Sequence, residues 1–233
     1  MLQLLVCSDV HTYADNIGLA IDRLDRVDAV LIAGDLETEI DRIREYTGSL
    51  PLYAVCGNND YFLDTDYPQE LLIDISDHGS AQKTEAPAPS FYPSIVDIRE
   101  LSYNTVPEKL TSVPQILSRF APAAVLEKFC QDKKPAEISH RILLTHGNIY
   151  NVPDTGKLAR RASLWDADIV IFGHTHDFTD YDQKDKNIRF LNPGCLLGDP
   201  ASTIRRFAGY EICSFALLRI GFGGEISFTR MRL

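Results

Sequence analysis

Four of the six histidines and two aspartates stand directly after short apolar runs: Ser8-Asp9-Val10-His11 follows LQLLVC, Gly34-Asp35 follows DAVLIA, Gly57-Asn58-Asn59-Asp60 follows LYAVC, His146-Gly147 follows RILLT, and Gly173-His174-Thr175-His176 follows DIVIF. Ligands of α/β sheets gather beyond the carboxyl ends of the strands, so groups far apart in sequence can converge there. Residues i and i+2 of an extended segment share a face, which lets Asp9 with His11, and His174 with His176, serve one centre or two adjacent ones. Mixed imidazole and carboxylate donors suit Mn, Fe, Zn, Co or Ni, whereas an all-oxygen set would suit Mg or Ca. The set Asp9, His11, Asp35, Asn58, His146, His174 and His176 is too large for one tetrahedral ion and fits two ions sharing a carboxylate. Two divalent cations against two aspartates leave about +2, or about +1 with a bridging hydroxide, which attracts an anion. Two ions about 3.5–4 Å apart can bind phosphoryl oxygens, acidify a bridging water and stabilise the leaving oxygen. Hydrolysis of a phosphate ester is the chemistry this predicts.

The elements that must position these groups are short. Each run is the length of a strand, rich in Val, Ile and Leu, and continuous rather than alternating hydrophobicity predicts strands covered on both faces. In ADNIGLAIDRLDRV the apolar Ile17, Ala20, Ile21 and Leu24 recur at helical spacing, giving a βαβ unit. ETEIDRIREYTG, stopping at Gly48, and TGKLARRASLWDA, before DIVIF, predict two more helices. YEICSFALLRI, a Gly-rich turn from Gly221 to Gly224, and EISFTRMRL predict an antiparallel hairpin. One stretch differs. From His78 to Ser139, prolines at 87, 89, 93, 107, 114, 122 and 135 interrupt helix-like pieces around VPQILSRF and PAAVLEKFCQDK. A structureless loop of that length is improbable in a compact domain, so residues 78–139 are expected to form a helical insertion within one domain spanning 1–233.

Composition narrows the function classes. With 233 residues, 45% hydrophobic and 24% charged, the chain can bury a sizeable core, which excludes disordered and fibrous classes. A net charge of −10 without a Lys/Arg block argues against long nucleic acid as a partner. No apolar run reaches the length of a membrane span, and MLQLLVCSDV meets an aspartate before a signal core could form. A cytoplasmic protein with no membrane partner is expected. The five cysteines never form a C-x-x-C pair, which argues against a disulfide framework and a zinc knuckle; Cys7 and Cys56 read as small buried hydrophobes.

The ordered series D-x-H, G-D, G-N-x-D, H-G, G-H-T-H resembles the calcineurin-like metallophosphoesterase superfamily, in particular its small single-domain phosphodiesterases. The resemblance covers residues 1 to about 77 and about 139 to 233, including Asn192-Pro193-Gly194 and the terminal hairpin. It implies a four-layer α-β-β-α sandwich. It also implies one metal held by Asp9, His11, Asp35 and His176, and another by Asp35, Asn58, His146 and His174, with Asp35 bridging. Asn59, Asp60 and His11 are assigned as the catalytic residues, Asp60 as one that orients a neighbour. A dinuclear-metal phosphodiesterase, or a phosphomonoesterase, would follow, with Mn²⁺ the first choice of cofactor, a bridging hydroxide as nucleophile and no covalent phospho-enzyme.

Three departures from the family's pattern bear on this. Asn59 stands where larger relatives carry a histidine that assists the leaving group, and an amide cannot supply a proton at neutral pH, so good leaving groups should be preferred. His78 is a candidate acid, although a surface-loop histidine is the simpler reading. Cys195 replaces a common serine, most simply as a packing substitution. The insertion could cap the site, mediate a homo-oligomer or bind a protein partner; its Tyr92, Arg99, Tyr103 and Arg119 could meet substrate but are more simply surface or local core. The rival to catalysis is a protein-binding scaffold of the same fold, such as the retromer scaffold subunit, which has lost key site residues. All seven expected ligands are present here.

Overall fold

Successive residues of a strand point to opposite faces, so a strand apolar at every position must be covered twice. In β1 (Leu2–Cys7), Leu4 and Val6 lie in one buried cluster while Leu5 and Cys7 lie in another. β2 (Ala29–Ile32) divides likewise, Leu31 with the first cluster and Val30 and Ile32 with the second. In the computed structural model, which describes residues 1–62, 67–76, 93–105, 133–204 and 206–233, these two faces set the architecture.

The second cluster is completed by Ile17 and Ala20 of α1 (Asp15–Asp22) and Ile43 of α2 (Ile40–Thr47). The first cluster joins β1 and β2 to a second sheet through Leu71, Ile73 and Ile75 of β4 (Glu70–Ser76), Ile142 and Leu144 of β6 (His140–Thr145), and Ile169 and Ile171 of β7 (Ile169–Ile171). The outer face of that sheet carries Leu72, Leu143 and Val170, which pack with Leu158, Ala159 and Ala162 of α3 (Gly156–Leu164). Helices, sheet, sheet and helix are thus stacked in four layers, the α-β-β-α arrangement.

With β3 (Leu52–Ala54), β5 (Ser94–Leu101), β8 (Phe178–Gln183), β9 (Ile188–Pro193), β12 (Ser214–Ile220) and β13 (Ile226–Arg232), the first sheet runs β13-β12-β1-β2-β3 and the second β5-β4-β6-β7-β9-β8. A two-stranded ribbon joins β10 (Arg206–Phe207) to β11 (Tyr210–Glu211). β1, β2 and β3 are mutually parallel, as are β6, β7 and β9, so each sheet delivers three carboxyl ends at one edge of the sandwich. The hairpin expected after Gly209 is β12–β13, paired antiparallel from Ser214↔Arg232 to Ile220↔Ile226, but its first strand starts only at Ser214, because Tyr210 and Glu211 pair with β10 instead.

The stretch 78–139 is only partly as expected. Ser94–Leu101, inside it, is an edge strand paired antiparallel with β4 over Glu70↔Leu101 to Ser76↔Ser94, so that part belongs to the sheet and not to a helical appendage. Ile95 and Ile98 both pack against the inter-sheet core because the register with β4 shifts between Asp74 and Ile75, and exposed Val96 and Asp97 between them mark an edge strand. The helix-like pieces, with His78, Tyr92 and Arg119, lie outside the described residues. Arg99 reaches Asp74 at 3.5 Å from β5, and the Tyr103 amide donates to Gln69 Oε1, both contacts within the sheet edge. Among the described residues, no helix is long and apolar enough to cross a membrane.

Candidate metal centre

The loops after β1, β2, β3, β6 and β7 bring the strand-end residues together, although not as an extended backbone would. Asp9, His11, Asp35, His174 and His176 all have φ between 46° and 68°, as do Glu37 at 52° and Thr12 at 70° nearby. These seven are the majority of the twelve non-glycine residues with positive φ among the described residues. Neither pair sits on extended backbone: Asp9 and His11 meet through a loop tied to the neighbouring one, and a turn in which the Thr175 amide donates to Gly173 O sends His176 toward His11 and Asp9 and His174 toward His146. The left-handed region is costly for such residues, about 1–3 kcal/mol each, and persists only where the surroundings hold it.

The holding bonds are present. The amides of Val10 and His11 both donate to Asp35 O, at 2.8 and 3.0 Å, and Asp9 N donates to Gly34 O. The Asp60 carboxylate accepts from the amides of Leu36, Glu37 and Gly57 at 2.7–2.9 Å, binding the second loop to the third. Asp60 thus orients its neighbours and is not among the groups that face the centre. Close approach also dictates two glycines: a Cβ at Gly57 would lie 2.0 Å from Asp35 Oδ1, and one at Gly173 would lie 1.8 Å from Ser8 Oγ.

Two trios of ligand atoms result, each with all atoms within 4.8 Å: Asp9, His11 and His176, and Asp9, Asp35 and His146. In the first, His11 Nε2 and His176 Nε2 face each other at 3.4 Å, and His176 Nε2 lies 3.2 Å from Asp9 Oδ1. That oxygen is buried without a hydrogen-bond partner, while Asp9 Oδ2 accepts from Ser8 Oγ and the His174 amide. In the second, His146 Nδ1 donates to Ala33 O at 2.7 Å, which turns the lone pair of Nε2 toward Asp35 Oδ2 at 3.3 Å and Asn58 Oδ1 at 3.2 Å. Lone pairs gathered around shared points, with a buried carboxylate oxygen left unpaired, are what a cation resolves. The donor set fits divalent transition metals.

Charge in the cluster acts in the same sense. For His146, burial pulls the pKa down, but the Asp35 hydrogen bond and the fields of Asp9 and Asp35 outweigh it and hold the imidazole above its ordinary value. Burial likewise opposes ionisation of Asp35, and its contact with His146 more than compensates, keeping the carboxyl low. The Asp9 contact raises His176. His174, exposed on one side, goes the other way, lowered by partial desolvation and by the neighbouring His146.

Asp35 belongs to the second trio alone, Asp9 to both. His174 stacks edge-to-face on His146 with centroids 5.2 Å apart. Asn59 spends both its amides on Asp35, the backbone N on Oδ1 and the side-chain Nδ2 on Oδ2, each at 2.9 Å.

A family model for the calcineurin-like phosphoesterase superfamily domain matches residues 2–214. The chain belongs to that superfamily. No curated protein sequence matches it. Among solved structures, an uncharacterized Streptococcus pneumoniae protein described as a predicted phosphoesterase is 19% identical, with a TM-score of 0.51, over 100% of this chain and 98% of that one. A single-substitution variant of Vps29 from Entamoeba histolytica is 19% identical, with a TM-score of 0.53, over 100% and 99%. An archaeal phosphodiesterase is 14% identical, with a TM-score of 0.51, over 99% and 100%. At these identities the likeness is one of fold. Membership of the phosphoesterase superfamily supports hydrolase activity in general.

Within this superfamily chain, three site residues escaped the sequence reading. Glu37 accepts from His11 Nδ1 at 2.8 Å, Ser8 hydrogen-bonds Asp9, and Tyr210 stacks edge-to-face on His176 at 5.0 Å. Glu37 and Ser8 stand in the same loops as the ligands, a signal that could have found them; Tyr210 carries none. Cys195 is fully buried, its thiol pushed up to about 12 by burial and then by the Asp9 charge, consistent with an inert packing residue.

Proposed function

We propose that the chain is a dinuclear-metal phosphodiesterase, acting also on phosphomonoesters with good leaving groups. The observation that carries this reading is the pair of trios, one half-buried and one wholly buried, in which imidazole and carboxylate lone pairs face one another at the strand ends. Asp9, His11, Asp35 and His176 would hold one ion, and Asp35, Asn58, His146 and His174 the other, with Mn²⁺ the expected cofactor. Such ions, when bound, supply Lewis-acid stabilisation of phosphoryl charge and an acidified water.

The chain's own residues do the rest. Ser8 and the His174 amide fix Asp9, Ala33 O fixes the tautomer of His146, and Glu37 fixes that of His11. Asn59 braces Asp35 with both amides and brings no proton to the leaving oxygen, so esters of acidic alcohols should react fastest. Asp60 acts through the backbone it holds. A cytoplasmic location, and a homo-oligomer or protein partner met through residues 78–139, remain parts of the proposal. The non-catalytic scaffold is the rival reading; the likeness to Vps29 is one of fold, and the complete ligand set weighs against that rival.

The test is hydrolysis of bis(p-nitrophenyl) phosphate after dialysis against Mn²⁺, beside His146→Ala. The wild type should turn over and the variant should fall to background. Equal rates for the two proteins would remove the catalytic reading.

A further inference from the structure

A cleft of about 520 Å³ opens beside the centre and shares one wall with it, because His174 lines it and is itself exposed. Its size falls within the range of about 300–1,000 Å³ typical of small-molecule sites. Val152 and Pro153, from the loop after β6, and Phe172, at the end of β7, supply apolar surface; Tyr181 of β8 and Tyr210 of β11 supply aromatic rings. Tyr210 is the link, since the ring that lines the cleft also packs on the candidate ligand His176. Tyr181 is braced by stacking on Phe190 at 5.2 Å and by a hydrogen bond with Thr155. Among the described residues, no lysine or arginine lines the cleft, and the one carboxylate there is Asp177.

We infer that this cleft is the subsite for an uncharged, planar ester group of the substrate, an aryl or nucleoside arm, and that Tyr210 sets the preference for it. The inference rests on the phosphoesterase reading above and names its substrate class. A phosphodiester carries its single negative charge at phosphorus, where the centre would take it, and leaves a neutral arm to be placed. Aromatic rings can stack on such an arm, and apolar walls desolvate it. An arm bearing a further phosphate or carboxylate would instead meet Asp177, with no cation among the described residues of the wall to offset it. The enzyme should therefore favour monoanionic aryl or nucleoside esters over diphosphate-linked ones.

The probes are phenylphosphonate, methylphosphonate and 3-phosphonopropionate, titrated calorimetrically into Mn²⁺-loaded protein, wild type, Tyr210→Ala, Tyr210→Phe and Tyr181→Ala. The expected result is phenylphosphonate binding about tenfold more tightly than methylphosphonate, the size of one aromatic contact. The charged arm should bind no better than methyl. Tyr210→Ala and Tyr181→Ala should each shrink the phenyl advantage, and Tyr210→Phe should keep it. A Tyr210→Ala effect transmitted through His176 would weaken both ligands alike and leave their ratio unchanged, which would overturn the assignment of Tyr210. Equal wild-type binding of phenyl and methyl, or tighter binding of the charged arm, would overturn the subsite while the phosphate-binding centre stands. Failure of all three to bind would instead remove the phosphoesterase reading.

Discussion

Glu37 holds the far nitrogen of His11 at 2.8 Å, and a carboxylate there both fixes the tautomer and raises the basicity of the nitrogen that faces the centre. Glu37→Gln keeps the size but removes the charge. It should weaken Mn²⁺ binding by about tenfold, the low end for loss of such an outer partner, with little change in the melting of the metal-free protein. Calorimetric titration with Mn²⁺ measures this, and an unchanged affinity would take His11 out of the ligand set. The identities of the residues that meet in the two trios were legible in the sequence, since Asp9, His11, Asp35, His146 and His176 each follow an apolar run. How they meet was not. The left-handed backbone of Asp9, His11, Asp35 and His176 leaves no trace in residue type, because none of them is glycine, and the hydrogen bonds that stabilise it join loops distant in sequence. Asp60 shows the complementary limit: its motif position was readable, but its three backbone partners are a tertiary fact.

At the scale of elements, the loops are held as tightly as the ligands. A methyl group at Gly57 would meet Asp35 Oδ1 at 2.0 Å and Asp35 N at 2.4 Å, and backbone cannot yield as a side-chain tip can. Gly57→Ala should therefore displace the Asp35 loop, destabilise the protein by about 1–3 kcal/mol as overpacking does, and abolish the second trio's metal binding. Urea denaturation and Mn²⁺ titration read the two effects separately; retained affinity would show that the loop after β3 does not shape the site. In the second sheet, Arg141 of β6 donates to both oxygens of Asp74 on β4 and to Trp165 O beyond α3, with both side chains at most 5% exposed. Asp74→Ala takes the paired carboxylate away from that buried guanidinium and should cost about 3–5 kcal/mol, seen as a lower urea midpoint. The apolar strands and three helices were legible from periodicity. β5 and β8 were not, because edge strands half open to water carry polar residues such as Asp97, Asp180 and Asp182 that blur the pattern.

For the whole molecule, the centre lies where the two sheets meet. Asp9, His11 and Asp35 come from the first sheet's loops and His146, His174 and His176 from the second's, so a cation bound there would tie the halves of the sandwich together. Only the folded chain gathers these groups, so metal binding would add directly to folding stability. At free Mn²⁺ about 100 times its dissociation constant, one site contributes about 2.7 kcal/mol. For a chain of this size that corresponds to a melting temperature about 5–11 °C higher, and a second occupied site should extend the shift. Scanning calorimetry of protein dialysed against a chelator and then returned to increasing Mn²⁺ should show the transition climbing with ion concentration. His146→Ala should climb less than the wild type, having lost a ligand of the second trio, and His11→Ala should do so by way of the first. A melting temperature indifferent to Mn²⁺, or variants that climb as far as the wild type, would mean that the facing lone pairs are satisfied by protons and that the strand ends of this sandwich bind no ion.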